Sequence, residues 1–288
     1  MTFAELIILV LRASVIAMVF AIGLNVALGD LLQLFRRPGL LVRSLLSMFL
    51  VMLVAAVLVA TFADLRRPIE IVIVALALAP IPPLLPKKQK KAGGEAGYIY
   101  GLVVAASLFA IVWIPLAITL LSRITDAPLS AALSEIVNIV VVMILAPLAA
   151  GALVGRFAPA FAGRAQTPIA RLASLVLLAG LVLMLVKSWR PMLDLVGNGT
   201  LMALAGFVLV GLVSGQVLGG PRSEDRSVLA LATATRHPGI AYYLATLNFP
   251  QEKAIPAAVL LYLIVSAILA LPYVAWRRRS GAASLLQA

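Results

Sequence analysis

Most of the chemistry this chain can offer is gathered in one short stretch, Thr233-Ala234-Thr235-Arg236-His237-Pro238-Gly239. It holds two hydroxyls, an arginine and the chain's single histidine, in the middle of a long apolar run. A guanidinium inside a bilayer costs at least about 2.5–3.5 kcal/mol on insertion scales, and such residues usually mark function. Two arrangements would satisfy Arg236. Its fork could bind the carboxylate or sulfonate of an anionic substrate, or it could hydrogen-bond backbone carbonyls freed where a helix breaks. His237 also has two readings. An imidazole titrating near neutral pH could couple transport to protons. A neutral imidazole could instead donate one hydrogen bond, and the adjacent cation disfavours the charged form.

A second unusual stretch reads Ala79-Pro80-Ile81-Pro82-Pro83-Leu84-Leu85-Pro86. Four prolines in seven residues cannot continue an α-helix, because each removes a backbone donor and clashes with the preceding turn. The acidic residues are Glu5, Asp30, Asp64, Glu70, Glu95, Asp126, Glu135, Asp194, Glu224, Asp225 and Glu252. All fall at the ends of apolar runs or between them, so Arg236 has no evident carboxylate partner at membrane depth.

Other chemistries are excluded. Without cysteine there are no disulfides, Cys-ligated metals or thiol nucleophiles. A single histidine leaves no His-rich metal site. No Ser/His/Asp or paired-carboxylate constellation stands inside a run, so an enzyme is not expected. Gly93-Gly94 lacks a following Lys-Ser/Thr, so neither a nucleotide site nor any other cofactor is assigned.

Composition supplies the setting. The chain has 288 residues, 63% hydrophobic and 12% charged, with a net charge of +12. A soluble domain carries roughly 25% charged residues, and one of this size could not cover so much apolar surface. An integral membrane protein is expected. Nine runs approach the roughly 20 residues a spanning helix needs: Leu6–Leu28, Leu40–Phe62, Ile69–Leu85, Tyr98–Leu121, Leu133–Phe157, Ile169–Val186, Leu201–Leu218, Val228–Leu247 and Ala254–Trp276. They do not alternate as barrel strands would, so the fold class is all-α. The first run is too long for a cleaved signal peptide and no A-x-A-like site follows it.

Basic residues are sorted across the membrane. One set of run ends carries 15 Lys and Arg, including Arg36, Arg37, Lys87, Lys88, Lys90, Lys91, Arg171 and Arg277, and the other carries six. The positive-inside rule then puts the N-terminus outside and the C-terminus in the cytoplasm of a multi-pass inner (plasma) membrane protein. The excess charge reports orientation rather than nucleic acid. Arg12 reads as a snorkelling residue; Asn25, Asn138 and Gln216 read as hydrogen bonds between helices.

The interrupted runs are the third and the eighth. A shift of five reverses membrane orientation, as in inverted five-helix repeats whose first copy lacks its first helix. Repeat one would cover about residues 1–125 and repeat two about 126–288, within a single transmembrane domain. Matching discontinuous helices in inverted repeats point to a transporter's binding site.

At these segments the chain resembles the bile acid:sodium symporter family, also called solute carrier 10-like. The family's P-G-G-T-A-S-N-like motif, followed by A-R-G, is matched in spacing by Pro80 to Pro86 before Ala92-Gly93-Gly94. Its E-x-G-x-Q-N-S-G-L-A motif is occupied by Ala232-Thr233-Ala234-Thr235-Arg236-His237-Pro238-Gly239-Ile240-Ala241. Met18-Val19-Phe20-Ala21-Ile22-Gly23-Leu24 is similar to its M-F-x-x-G-L segment, and Arg37-Pro38 to the basic-Pro start of its next helix. The resemblance implies a core domain with two crossing broken helices, a panel domain, and transport of organic anions, often with sodium. The departures fall on the ion site. Leu85-Pro86 replaces the family's Ser-Asn pair, Ala232 its glutamate and Arg236 its glutamine. Leu, Pro and Ala side chains offer no oxygen, and a guanidinium repels a cation. The resemblance therefore implies that Arg236 stands about where relatives hold sodium.

The expectation is a secondary transporter of a small organic anion, working by alternating access and not sodium-coupled in the usual way. The expected site residues are Arg236, His237, Thr233, Thr235, Pro238, Gly239, Pro80, Pro82, Pro83 and Pro86, with no metal ligands. The expected partners are the substrate and the lipid bilayer, with the oligomeric state left open and a monomer compatible with the sequence. The alternatives are another inverted-repeat exporter or antiporter with the same crossing, or a membrane receptor that does not transport.

Overall fold

The computed structural model describes residues 3–82, 85–125 and 129–285, and all their regular structure is helical. α1 (Phe3–Gly23) ends before Asn25, and the chain turns through 107° into α2 (Leu28–Leu32) and a 3-10 turn (Gln33–Arg36). α3 (Pro38–Leu45), a π-helical stretch (Leu46–Val51) and α4 (Met52–Phe62) form one span. α5 (Arg67–Leu78) and α6 (Leu85–Lys91) are separated by the proline segment, and α7 (Ala96–Thr125) follows. α8 (Leu133–Val140), a second π-helical stretch (Val141–Leu145) and α9 (Ala146–Phe157) again form one span. α10 (Pro159–Leu195), α11 (Thr200–Leu218), α12 (Ser223–Ala234), α13 (Pro238–Asn248) and α14 (Ile255–Leu285) complete the chain.

Among the described residues, six helices are long and apolar enough to cross a membrane, or seven if the bent pair Leu9–Gly23 with Leu28–Arg36 is one span. The sequence runs number nine. The difference lies in Ile69–Leu85 and Val228–Leu247, each of which the backbone divides into pieces too short to span alone. The run Ile169–Val186 is the middle of a longer helix, α10.

Both interruptions follow from proline chemistry. α5 starts behind an extended Arg66 with Pro68 in its first turn, where the missing N–H costs nothing. It stops at Leu78, and Ala79 before Pro80 is extended at φ −74°, ψ 144°, as a residue preceding proline must be. At the other break Thr235 and His237 are extended, Pro238 opens α13, and the His237 side chain caps it by accepting from the Ile240 amide.

Small residues set the packing. Gly211, Gly215 and Gly219 form a stripe on α11, and a Cβ on any of them would strike the α12 backbone at Ala234, Ala230 or Arg226. Small-residue stripes of this kind let membrane helices approach to backbone contact. Gly23 of α1 meets Leu148 and Gly151 of α9 in the same way, and Gly155 meets Leu24. α1, α9 and α10 thus pack together, around Leu24, Ala162 and Ala165 on the α10 side. The larger core joins α4, α5, α7, α11, α12, α13 and α14. Within it α5 lies against α13 and α6 against α12, so the two broken elements meet half to half.

Candidate functional site

The two interruptions touch where the backbone is least regular. The His237 amide donates to the Pro80 carbonyl at 2.8 Å, joining one break to the other. The Tyr262 hydroxyl of α14 accepts from the Arg236 amide at 2.8 Å and donates to the Ala234 carbonyl at 3.0 Å. One side chain therefore replaces two backbone bonds that α12 loses where it ends.

The Arg236 side chain is fully buried and is the largest such side chain described. Its Nε donates to the Leu76 carbonyl at 3.0 Å and its Nη2 to the Ala77 carbonyl at 2.8 Å. Its Cζ lies 5.4 Å from the centroid of the Phe49 ring. Leu76 and Ala77 belong to the last turn of α5, whose carbonyls lose their i+4 partners when the helix stops at Pro80; the Leu76 carbonyl also accepts from the Ala79 amide at 3.1 Å. The residue found by its misfit in the sequence thus takes the second of its two arrangements, on carbonyls at the broken helix end. Nη1 has no hydrogen-bond partner among the described residues.

His237 is 8% exposed. Its Nδ1 accepts from the Ile240 amide at 3.3 Å, which assigns the proton to Nε2, and Nε2 has no partner among the described residues. Thr235 is buried, with its hydroxyl also unpartnered among the described residues. Thr233 turns elsewhere: its Oγ1 lies 2.9 Å from Ser47 Oγ, which lies 3.0 Å from Ser214 Oγ, a hydroxyl chain joining the π-helical stretch, α11 and α12.

Pro80, Pro82, Leu85 and Pro86 are buried around the first break, and Ala232 is fully buried in α12. Pro238 is half-buried and Gly239 is exposed at the start of α13. Pro83 lies outside the described residues. Gln216 accepts from the Tyr273 hydroxyl at 2.6 Å, a bond between α11 and α14. Asn25, Asn138 and Arg12 are exposed. An apolar groove of about 550 Å³ runs along the outer face of α11 by Val213, Ser214 and Val217, away from the crossing.

Residues 13–194 match the sodium bile acid symporter family, well over half of the chain. The chain belongs to that family. It is therefore a multi-pass membrane protein of a transporter family. Comparison with curated proteins finds no match. The matched stretch contains α5 and α6 but ends before α12, so Arg236 lies outside the part that most resembles other sodium bile acid symporter relatives.

Sequence reasoning missed Tyr262, Phe49 and the two α5 carbonyls. A tyrosine or phenylalanine within an apolar run carries no signal of its own, and a carbonyl has no letter in the sequence. It also missed a charged cluster at one end of the spans. Arg37, before α3, pairs with both oxygens of Asp225 at the start of α12, and with Glu95 at 3.6 Å. Glu95 also accepts from Gln33 at 2.7 Å and lies 3.8 Å from Arg222.

Proposed function

We propose that this chain moves a small organic anion by alternating access, with Arg236 fixed in the place of a coupling sodium. The observation that carries this reading is the pair of bonds from Arg236 Nε and Nη2 to the Leu76 and Ala77 carbonyls. A helix C-terminus carries partial negative charge. In transporters with broken helices, such C-terminal ends coordinate the coupling cation. In this chain the guanidinium occupies those carbonyls, and a second cation beside it would meet its repulsion at short range.

In this reading the two broken elements each cross the bilayer and, with the bent first span, bring the count to nine. Residues 1–125 and 126–288 form inverted repeats of one transmembrane domain, with the N-terminus outside and the C-terminus in the cytoplasm of the plasma (inner) membrane. α1 and α8–α10 act as the panel, and the remaining spans as the core. The prolines at 80, 82, 83 and 86 keep the first interruption open. Leu85, Pro86 and Ala232 are lost ion ligands. The unspent hydrogen-bonding atoms at the crossing, Arg236 Nη1, His237 Nε2 and Thr235 Oγ1, form the donor set for an anionic group. Arg236 is fully buried, so access to it requires core and panel to move apart. His237 serves as a neutral donor rather than a proton carrier.

Reconstituted liposomes test this. A panel of labelled monoanions, including taurocholate, is offered with sodium, potassium or a pH gradient imposed. The expected result is uptake of the same size in sodium and potassium, lost in Arg236→Ala. Sodium-dependent uptake overturns the built-in cation, and binding without flux favours a receptor.

A further inference from the structure

A cleft of about 500 Å³ opens between α6 and α10, lined by Lys87, Gln166, Thr167, Arg171, Ser174 and Leu175. Its lining holds two cations and no carboxylate, with the Gln166 amide N–H groups as further donors. Thr167 Oγ1 donates to Gln166 Oε1 at 3.2 Å, which leaves the amide N–H groups of Gln166 as donors. Ser174 donates to the Ala170 carbonyl at 2.6 Å, leaving its oxygen lone pairs.

Above the cleft the same face of α10 becomes apolar. Arg171, Leu175, Leu178 and Val182 are spaced by four, three and four residues and share one helical face. Leu175, Leu178 and Val182 are 64%, 58% and 49% exposed. From Arg171 to Val182 the helix rises roughly 16 Å at 1.5 Å per residue, about half the thickness of a bilayer's hydrocarbon core. A charged head beside Lys87 and Arg171 would thus continue into an acyl chain along α10.

We infer that this cleft is a binding site for an anionic phospholipid, its headgroup held by Lys87 and Arg171 and its acyl chain laid along Leu175, Leu178 and Val182. Basic pockets between membrane helices on the cytoplasmic side are suited to such headgroups, and the leaflet assignment rests on the orientation proposed above. The lipid would bridge α6 of the first broken element and α10 of the other helix group, so it touches both bodies that alternating access must separate.

The test is native mass spectrometry of the detergent-purified full chain. Phosphatidylglycerol and phosphatidylcholine of the same acyl composition are supplied, with inorganic phosphate and taurocholate as soluble probes. The expected result is at least a three-fold preference for phosphatidylglycerol. It should fall to the phosphatidylcholine level in Lys87→Ala/Arg171→Ala and persist in Arg123→Ala/Lys187→Ala at the opposite ends of the spans. Arg171→Gln, an exposed change on a helix surface, keeps the test decisive if the double variant does not fold. Equal binding of the two lipids, or retention of the preference in both variants, overturns the site. Displacement of phosphatidylglycerol by phosphate or taurocholate alone assigns the cleft to a soluble anion and overturns the lipid. Transport is not the readout, so this site and the proposed transport fail independently.

Discussion

Two arginines in this molecule are neutralised in opposite ways. Arg37, just before α3, keeps 28% of its side chain exposed and pairs with Asp225, itself 1% exposed, and with Glu95. The hydrogen bond with Asp225 raises its proton affinity above the ordinary arginine value, against the opposing pull of burial. Arg236 is fully buried and has no carboxylate partner among the described residues. It is held by two backbone carbonyls and an aromatic face. An ion pair cancels its charge, whereas carbonyl dipoles solvate charge without cancelling it. The Arg37 cluster is therefore a clasp between the starts of distant spans. Arg236 leaves its charge uncancelled at the crossing, and in the proposed function that charge meets the anion.

Removing each charge should separate these roles. Arg236→Met keeps the length and loses the donors, stranding the buried Ala77 carbonyl at about 1–3 kcal/mol, while the Leu76 carbonyl keeps the Ala79 amide. We expect this to be the largest effect on both counts, with anion uptake abolished and SDS-induced unfolding shifted to lower detergent. Arg236→Lys should restore charge but little uptake, since one ammonium cannot reproduce a planar fork on two carbonyls under a ring. Full uptake in Arg236→Met would remove the fixed charge from the mechanism.

Asp225→Asn comes next. It leaves Arg37 with only the more distant Glu95, and a hydrogen bond to a charged group contributes about 1.5–3 kcal/mol. Stability should fall by about that much while sodium-independent uptake persists. Arg37→Gln added to Asp225→Asn should cost less than the two single changes together, the signature of a coupled pair.

The contrast between the arginines was only half legible in the sequence. Arg236 stood out because a charge in an apolar run must be explained, and Pro80, Pro82 and Pro238 located both interruptions because proline's limits are local. The partners of Arg236 were hidden. Leu76 and Ala77 contribute backbone oxygens that any residue would supply, and Tyr262 lies 26 residues beyond Arg236 in an unremarkable run. Arg37 and Asp225 are 188 residues apart, and only the fold makes them neighbours. A hydropathy window sums two half-helices into one run, so the third and eighth runs count as spans by composition while the structure divides each into two short helices. The turn after Gly23 also escaped notice, since Leu24 to Ala27 carries no proline to announce it.

Tyr262→Phe probes the crossing with less violence. The hydroxyl holds both the Arg236 amide and the Ala234 carbonyl, so its loss leaves one donor and one acceptor in a dry interior. Destabilisation of about 1–3 kcal/mol is expected, with weakened uptake because the turn that presents Arg236 loosens. A loss of stability with unaltered uptake would make Tyr262 a structural staple only.

The smallest effect belongs to Glu95→Gln. Its carboxylate is 35% exposed and lies 3.6 Å from Arg37 and 3.8 Å from Arg222, and exposed ion pairs contribute about 0–1 kcal/mol. Its firmest contact, from Gln33 at 2.7 Å, survives as an amide–amide bond. A shift under about 1 kcal/mol that shrinks with added salt would place the strength of the clasp in Asp225 alone. A shift as large as that of Asp225→Asn would instead make the cluster a single network. The difference between the two arginines would then lie in how many groups share the load, not in carboxylate against carbonyl.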